Sequence, residues 1–161
     1  MDRIPMTRAG YEKLEQELRH LKSVERPRNV REIETARAHG DISENAEFHA
    51  AKERQSHLEG RLRLLEDRLA RAQVIELSGQ VPDQVRFGVT VDLEDAESGE
   101  RVTYTILGEE ESDVARGRIS VSSPVARALL GKEVGASVTV HVPKGTREFE
   151  ILDIRFDLES E

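Results

Sequence analysis

The sequence predicts an α+β protein in two parts: an N-terminal antiparallel helical hairpin, then a C-terminal antiparallel sheet with one short helix. Three observations carry this. Apolar residues recur in steps of three and four between Tyr11 and Leu69. After Ala72 they alternate at period two. With 35% charged and 4% aromatic residues, 161 residues suit two small units better than one large core.

The helical part begins at Thr7, a hydroxyl residue suited to capping a helix start, and helix-favouring residues continue to His39. Gly40 supplies a stop. A second run extends from about Ile42 to Ala72, with Gly60 its single interior glycine. Tyr11, Leu14, Leu18 and Leu21 form a stripe in the first run, and Leu58, Leu62, Leu65 and Leu69 form one in the second. In an antiparallel hairpin, facing positions share a nearly constant sum. Leu14 with Leu65, Leu18 with Leu62, Leu21 with Leu58 and Tyr11 with Leu69 all sum to 79 or 80, which puts the turn at Gly40.

Nearer the turn the stripe offers Val30, Ile33, Ala36, Ala46, Ala50 and Ala51, with Phe48 opposite Ile33. Small residues let helices approach closely, giving a thin arm whose roughly 30 residues would reach about 45 Å. Pro27 lacks an amide hydrogen and crowds the preceding turn, so a bend is expected there. The hairpin is assigned to residues 1–76, a linker to 77–82 and the sheet domain to 83–161.

In the sheet domain, Phe87 to Leu93, Val102 to Ile106 and Val138 to Val142 alternate. Phe149-Glu-Ile151 and Ile154-Arg-Phe156 alternate out of phase, which predicts a bulge between them. Residues 94–100 and 143–145 read as turns. Ser123 as cap, Pro124 in the first turn and Gly131 as stop mark the short helix.

Charge and composition exclude several classes. The net charge of −8 lies wholly after residue 78: residues 1–78 hold 15 basic and 15 acidic side chains, residues 79–161 hold 9 and 17. A backbone-gripping nucleic-acid binder carries a basic excess instead, so the partner that fits is another protein. There is no cysteine for disulfides or thiolate zinc sites. No apolar run approaches the roughly 20 residues of a membrane helix, and no signal-peptide core is present. A soluble cytoplasmic protein without a membrane partner is expected.

Candidate chemistry concentrates at the turn. Asp41 and Glu44 have capping-box spacing, in which Asp41 bonds the free amides of the second helix and Glu44 reaches back. They are also two hard oxygen donors on an exposed tip, suited to Mg2+, which needs further ligands from elsewhere. Arg37, Lys52 and Arg54 beside the tip read either as ion-pair partners of Glu34 and Glu53 or as a phosphate-contacting patch. His39, His49 and His57 have no HExxH spacing and no third ligand, so no dedicated metal site is expected. The chain shows no nucleophile–base arrangement, no glycine-rich phosphate loop and no G-x-S-x-G.

Pro5-Met-Thr-Arg-Ala-Gly-Tyr11 with Leu14-Glu-Gln-Glu-Leu18, Ala36-Arg-Ala-His-Gly-Asp41 with Ser43-Glu-Asn-Ala-Glu47, and Ile119-Ser-Val-Ser-Ser-Pro-Val-Ala-Arg-Ala-Leu-Leu-Gly-Lys132 resemble the bacterial transcript cleavage factors of the GreA/GreB family. The resemblance covers essentially the whole chain. It is closer to the GreA side, on Ala46-Glu-Phe-His-Ala-Ala-Lys-Glu53 and the absence of a lysine-rich second helix. Phe48 stands where the family pattern has tyrosine, which removes a hydroxyl.

The resemblance implies a coiled coil that enters the secondary channel of RNA polymerase and a domain of FKBP-like fold that docks at the channel rim. It implies that Asp41 and Glu44 are the acidic tip pair, completing a Mg2+ site with the polymerase, and that the chain alone needs no cofactor. Arg37 and Lys52 match the basic patch near the nascent RNA 3′ end, and Ser122, Ser123, Pro124 and Arg127 fall in the polymerase-contacting segment. The factor would be no enzyme itself, acting as a monomer that stimulates the polymerase's own cleavage of backtracked RNA. Two other readings compete. A channel-binding regulator would occupy polymerase without cleavage, and the intact Asp-x-x-Glu tip argues against it. A stand-alone prolyl isomerase needs an aromatic-lined pocket, for which Phe87, Tyr104, Phe149 and Phe156 are few.

Overall fold

The structure, a computed structural model, describes residues 2–41, 45–77 and 80–156. Two compact units emerge: Met1–Arg3 with Tyr11–Ala72, and Ile4–Gly10 with Gln73–Glu161. The α+β class follows from helices in the first and a sheet in the second.

The first unit is built from α1 (Arg8–His20), a π-helical segment (Leu21–Glu25), α2 (Arg26–Arg37) and α3 (Ala46–Ala70). Leu14, Ile33, Ala36, Ala51, Leu62 and Leu65 are buried along its seam. Guanidinium forks brace the flanks: Arg61 donates to both oxygens of Glu17 (2.7 and 2.9 Å) and Arg26 to both of Glu59 (3.0 and 2.8 Å). The bond from Arg61, outweighing partial burial, lowers the Glu17 pKa. Such half-exposed pairs contribute little stability but favour one register.

The π segment has a cause that can be read from the seam. Along α3, Phe48, Ala51, Gln55, Leu58, Leu62, Leu65 and Leu69 keep strict steps of three and four, and none is exposed. On the other arm the same repeat through Leu14, Leu18 and Leu21 would continue to Arg28, Glu32 and Thr35. The buried residues are instead Asn29, Ile33 and Ala36, each one position later. One extra residue must be absorbed before Asn29. The π turn absorbs it, with the Arg26 amide reaching back five residues to the Leu21 carbonyl. Pro27 then falls in the first turn of α2, where a missing amide hydrogen costs least.

This amends the sequence reading at three points. The interruption expected at Pro27 takes the form of a π turn just before it. Val30 is 44% exposed, because it lies between the seam positions Asn29 and Ile33. Ala46 is exposed as well, since it opens α3 before the first seam residue. A deletion experiment follows. Removing Ser23 together with Pro27→Ala leaves a continuous heptad and should keep the hairpin's thermal midpoint at or above wild type. Removing Gly60 from α3, which has no slack residue, should lower stability by roughly the 2–5 kcal/mol of a displaced core leucine. Circular dichroism melts compare the two directly.

The start of α1 is anchored within the second unit. Thr7 Oγ1 accepts from the Gly10 amide (3.0 Å), as an N-cap does. The Thr7 amide donates to Glu111 (3.0 Å), and its hydroxyl donates to the other oxygen of the same carboxylate. A Cβ on Gly10 would lie 2.4 Å from the Glu111 carboxyl carbon, so a larger residue there would push that carboxylate aside.

Strands β1 (Ile4–Met6) and β2 (Ala72–Val74) form a two-stranded sheet. The main sheet has the order β5-β4-β3-β7-β6, with β3 Thr90–Asp95, β4 Arg101–Leu107, β5 Arg118–Ser120, β6 Ser137–Val142 and β7 Gly145–Arg155. It is mixed, where a purely antiparallel sheet was expected. The chain leaves β4, passes through 3-10 turns at Glu109–Glu111 and Val114–Arg116, and returns so that β5 runs parallel to β4. The bulge predicted in β7 is present: Asp92 faces Asp153 and Leu93 faces Ile151, leaving Leu152 as the extra residue. Helix α4 (Pro124–Leu129) buries Ala126 and Leu129 in the core with Val91, Leu93, Ile106, Val140 and Ile151.

A buried carboxylate organises the turn after β3. Asp95 Oδ1 accepts the amides of Ser98 (3.1 Å) and Glu97 (2.9 Å), and Oδ2 accepts from Arg147 (2.7 Å). The Ser98 amide first, then Arg147 and the Glu97 amide, hold its pKa at about 2, below the ordinary 3.8. Because the folded value is depressed, this contribution to stability is complete above the unfolded pKa and fades as pH falls towards 2. Asp95→Asn should therefore flatten the acid limb of the stability curve between about pH 4 and 2, as read by denaturant melts across that range.

Candidate functional site

The tip lies between α2 and α3 and is fixed from both sides. Helix α2 ends at Arg37, with the Ala38 amide on the Glu34 carbonyl (3.2 Å) and the His39 amide on the Ala36 carbonyl (3.1 Å). Gly40 then turns the chain at φ +118°, a conformation that side chains with a Cβ rarely adopt. Asp41 is exposed and has interactions within the chain. Glu44, its predicted companion, lies outside the described residues.

The cap of α3 is Asn45, not Asp41. Its backbone is extended (φ −90°, ψ 95°) and its side-chain oxygen accepts the Phe48 amide at 3.0 Å. The helix thus begins at Ala46, four residues later than the sequence suggested, and the Glu44 half of the expected capping box lies outside the described residues. Three candidate caps, Asp41, Ser43 and Asn45, stand within five residues. The signal that separates them is the apolar Phe48 three positions after Asn45, the first seam residue of α3.

The Asn45 amide nitrogen also donates to the Ala36 carbonyl, so one side chain joins the end of α2 to the start of α3. A second link runs beside it. The Arg37 guanidinium lies 5.8 Å from the centre of the Phe48 ring, and His49 meets Phe48 edge-on at 5.8 Å. Lower in the seam, buried Asn29 donates to the Ala51 carbonyl at 3.0 Å, a polar contact that sequence reading passed over and that favours one register.

The predicted cations occupy different environments. Arg37 stacks on Phe48, Lys52 donates to Gln55 (2.8 Å) and Arg54 pairs across the hairpin with Glu32 (2.6 Å), where Glu34 and Glu53 had been expected as partners. The groove beside them is lined by Arg28, Arg31, Glu32, Thr35, Glu47 and Arg54, so cations and carboxylates mix there. Among the described residues no group of three or more His, Asp or Glu is placed to hold a metal.

In the second unit, Ser123 caps α4 by accepting the Ala126 amide (3.2 Å), and the Ser120 and Ser122 hydroxyls bond each other at 2.8 Å. Ser122, Pro124 and Arg127 are exposed, so the segment presents a preformed surface. Phe149 is buried, and Tyr104 and Phe156 pack against the same core, which leaves few aromatic rings to line a pocket. Among the described residues no helix is long and apolar enough to cross a membrane.

Residues 4–74 match the N-terminal domain of transcription elongation factors GreA and GreB, and residues 80–156 match their C-terminal domain. The chain belongs to the GreA/GreB family. The transcription elongation factor GreA of Anaeromyxobacter sp. (strain K) is 56% identical over 97% of this chain and 94% of its own. That of Agrobacterium fabrum is 54% identical over 97% and 99%. Among solved structures, the GreA factor homolog 1 (Gfh1) protein of Thermus thermophilus is 34% identical over 95% of this chain and 99% of its own, with a TM-score of 0.43. Both units are thus shared with GreA/GreB elongation factors, and the role of the chain is in transcription elongation.

Proposed function

We propose that the hairpin enters the secondary channel of RNA polymerase and stimulates cleavage at the 3′ end of backtracked RNA, with Asp41 and Glu44 as donated carboxylates. The observation that supports this most is the match of both units to GreA and GreB elongation factors, together with Asp41 standing exposed at the turn between α2 and α3.

The donor set fits a hard cation in one respect and falls short in another. Carboxylate oxygens suit Mg2+, but two of them leave most of an octahedral shell unfilled. RNA polymerase, itself a metal-dependent enzyme, supplies the remainder, and Mg2+ bound there would stabilise phosphodiester charge and activate a water. Asp41 and Glu44 would hold that shared shell from the tip and orient the attacking water. Arg37 and Lys52 would neutralise RNA phosphates beside them, and Ser122, Ser123, Pro124 and Arg127 would dock the second unit on the polymerase.

The test is single-turnover cleavage of a purified backtracked complex with and without the chain. The reading predicts acceleration with polymerase present and no cleavage of the same RNA when polymerase is omitted. Equal cleavage without polymerase would make the chain a nuclease. Binding without acceleration would make it a channel-occupying regulator.

A further inference from the structure

We infer that Asn45 is a positioning residue for the tip, a clasp that joins the end of α2 to the start of α3 and holds the turn that carries Asp41. The inference rests on the tip reading above and adds a residue to it. Ala36 lies in the last turn of α2 and Asn45 immediately before α3, on either side of Asp41. One side-chain amide spans those ends: its nitrogen donates to the Ala36 carbonyl in the last turn of α2, and its oxygen accepts the Phe48 amide in the first turn of α3. Each bond satisfies a group that a helix terminus leaves without an intrahelical partner. The Ala36 carbonyl takes the His39 amide on its second lone pair (3.1 Å), which ties the chain just before Gly40 into the same node.

Chemistry explains why asparagine does this. Serine, threonine or aspartate at the same place cap the helix equally well, because capping needs only an acceptor. Bridging to a carbonyl needs a donor as well, and of the good capping residues asparagine alone carries its acceptor and its donor on two separate atoms. Ala36 is buried at 3% exposure, so water is a poor substitute at its carbonyl. Losing the donor would loosen the closure of the loop without melting either helix.

Asn45→Asp keeps the acceptor and removes the donor, and Asn45→Ser keeps the acceptor but has no second polar atom to reach the Ala36 carbonyl. Both should retain wild-type helicity, and both should bind polymerase with an unchanged half-saturating concentration. Maximal cleavage at saturating factor should fall roughly tenfold, the size of one lost hydrogen bond to a buried group. Part of that loss should return as Mg2+ is raised, since misplaced carboxylates hold the cation less tightly. Independently of activity, amide exchange at His39 in the free chain should quicken in both variants.

A wild-type maximal rate in both variants, or a loss that appears only as weaker polymerase binding, would overturn the clasp. Asp41→Asn run alongside separates the two claims. If it abolishes cleavage while Asn45→Asp does not slow it, the clasp alone fails. If Asp41→Asn cleaves normally, the tip reading fails with it.

Discussion

Asp41→Asn and Glu44→Gln should each reduce polymerase-dependent RNA cleavage by about 10²–10³-fold at saturating factor, the scale of removing one group that stabilises charge in a transition state. Each substitution keeps the size of the side chain and removes the negative charge that a cation would feel. Affinity for polymerase should hardly change, because neither residue belongs to the Ser122–Arg127 segment. The helix start should survive as well, since Asn45 caps α3. A competition binding assay beside the cleavage assay checks both halves. Loss of binding in proportion to loss of cleavage would mean that the acids anchor the hairpin instead of acting at its tip.

Leu65→Ala should be the most damaging single change in the hairpin. Leu65 has no exposed surface and its neighbour Leu62 is 1% exposed, so truncation opens a cavity where α3 meets the first arm. Leucine-to-alanine changes at such sites cost roughly 2–5 kcal/mol. The hairpin has few other large buried residues to compensate. Its melting should therefore move well below that of the sheet unit, whose core of Val91, Leu93, Ile106 and Ile151 is separate. Thermal melts followed at 222 nm, with cleavage assayed on either side of the new midpoint, should show activity lost with the hairpin while the sheet persists. A single unsplit transition at the wild-type temperature would contradict the seam described here.

The two arms differ in how far their sequence could be read. Strict spacing made α3 legible along its whole length, from Phe48 to Leu69. The first arm carried a one-residue offset between Leu21 and Asn29, and that offset was visible in the same repeat. It went unread because Val30 looked like the next apolar position while the residue actually buried is polar. An asparagine on a seam defeats a hydrophobicity count, since its burial depends on a partner, the Ala51 carbonyl, that lies 22 residues away.

The same limit applies in the sheet. Period-two alternation located β3, β4, β6 and β7, and the phase slip around Leu152 located the bulge. Strand β5 escaped because three residues with one buried side chain, Ile119, have no period, and its pairing is set by the turns before it. At the tip, Asp41 and Glu44 stood out by type and spacing, whereas Asn45, the cap of α3, did not. Only the backbone angles of Asn45 and its bonds to both helices assign that role.

The central claim is that the tip lends carboxylates to a shared Mg2+ site, and a Mg2+ titration of cleavage on one backtracked complex tests it most directly. With the wild-type chain, the Mg2+ concentration giving half-maximal cleavage should fall below that of polymerase alone. With the Asp41→Asn, Glu44→Gln double variant it should return to the polymerase-alone value, although the variant still competes for the same binding site. A double variant that lowers the Mg2+ requirement as far as wild type does would contradict the account.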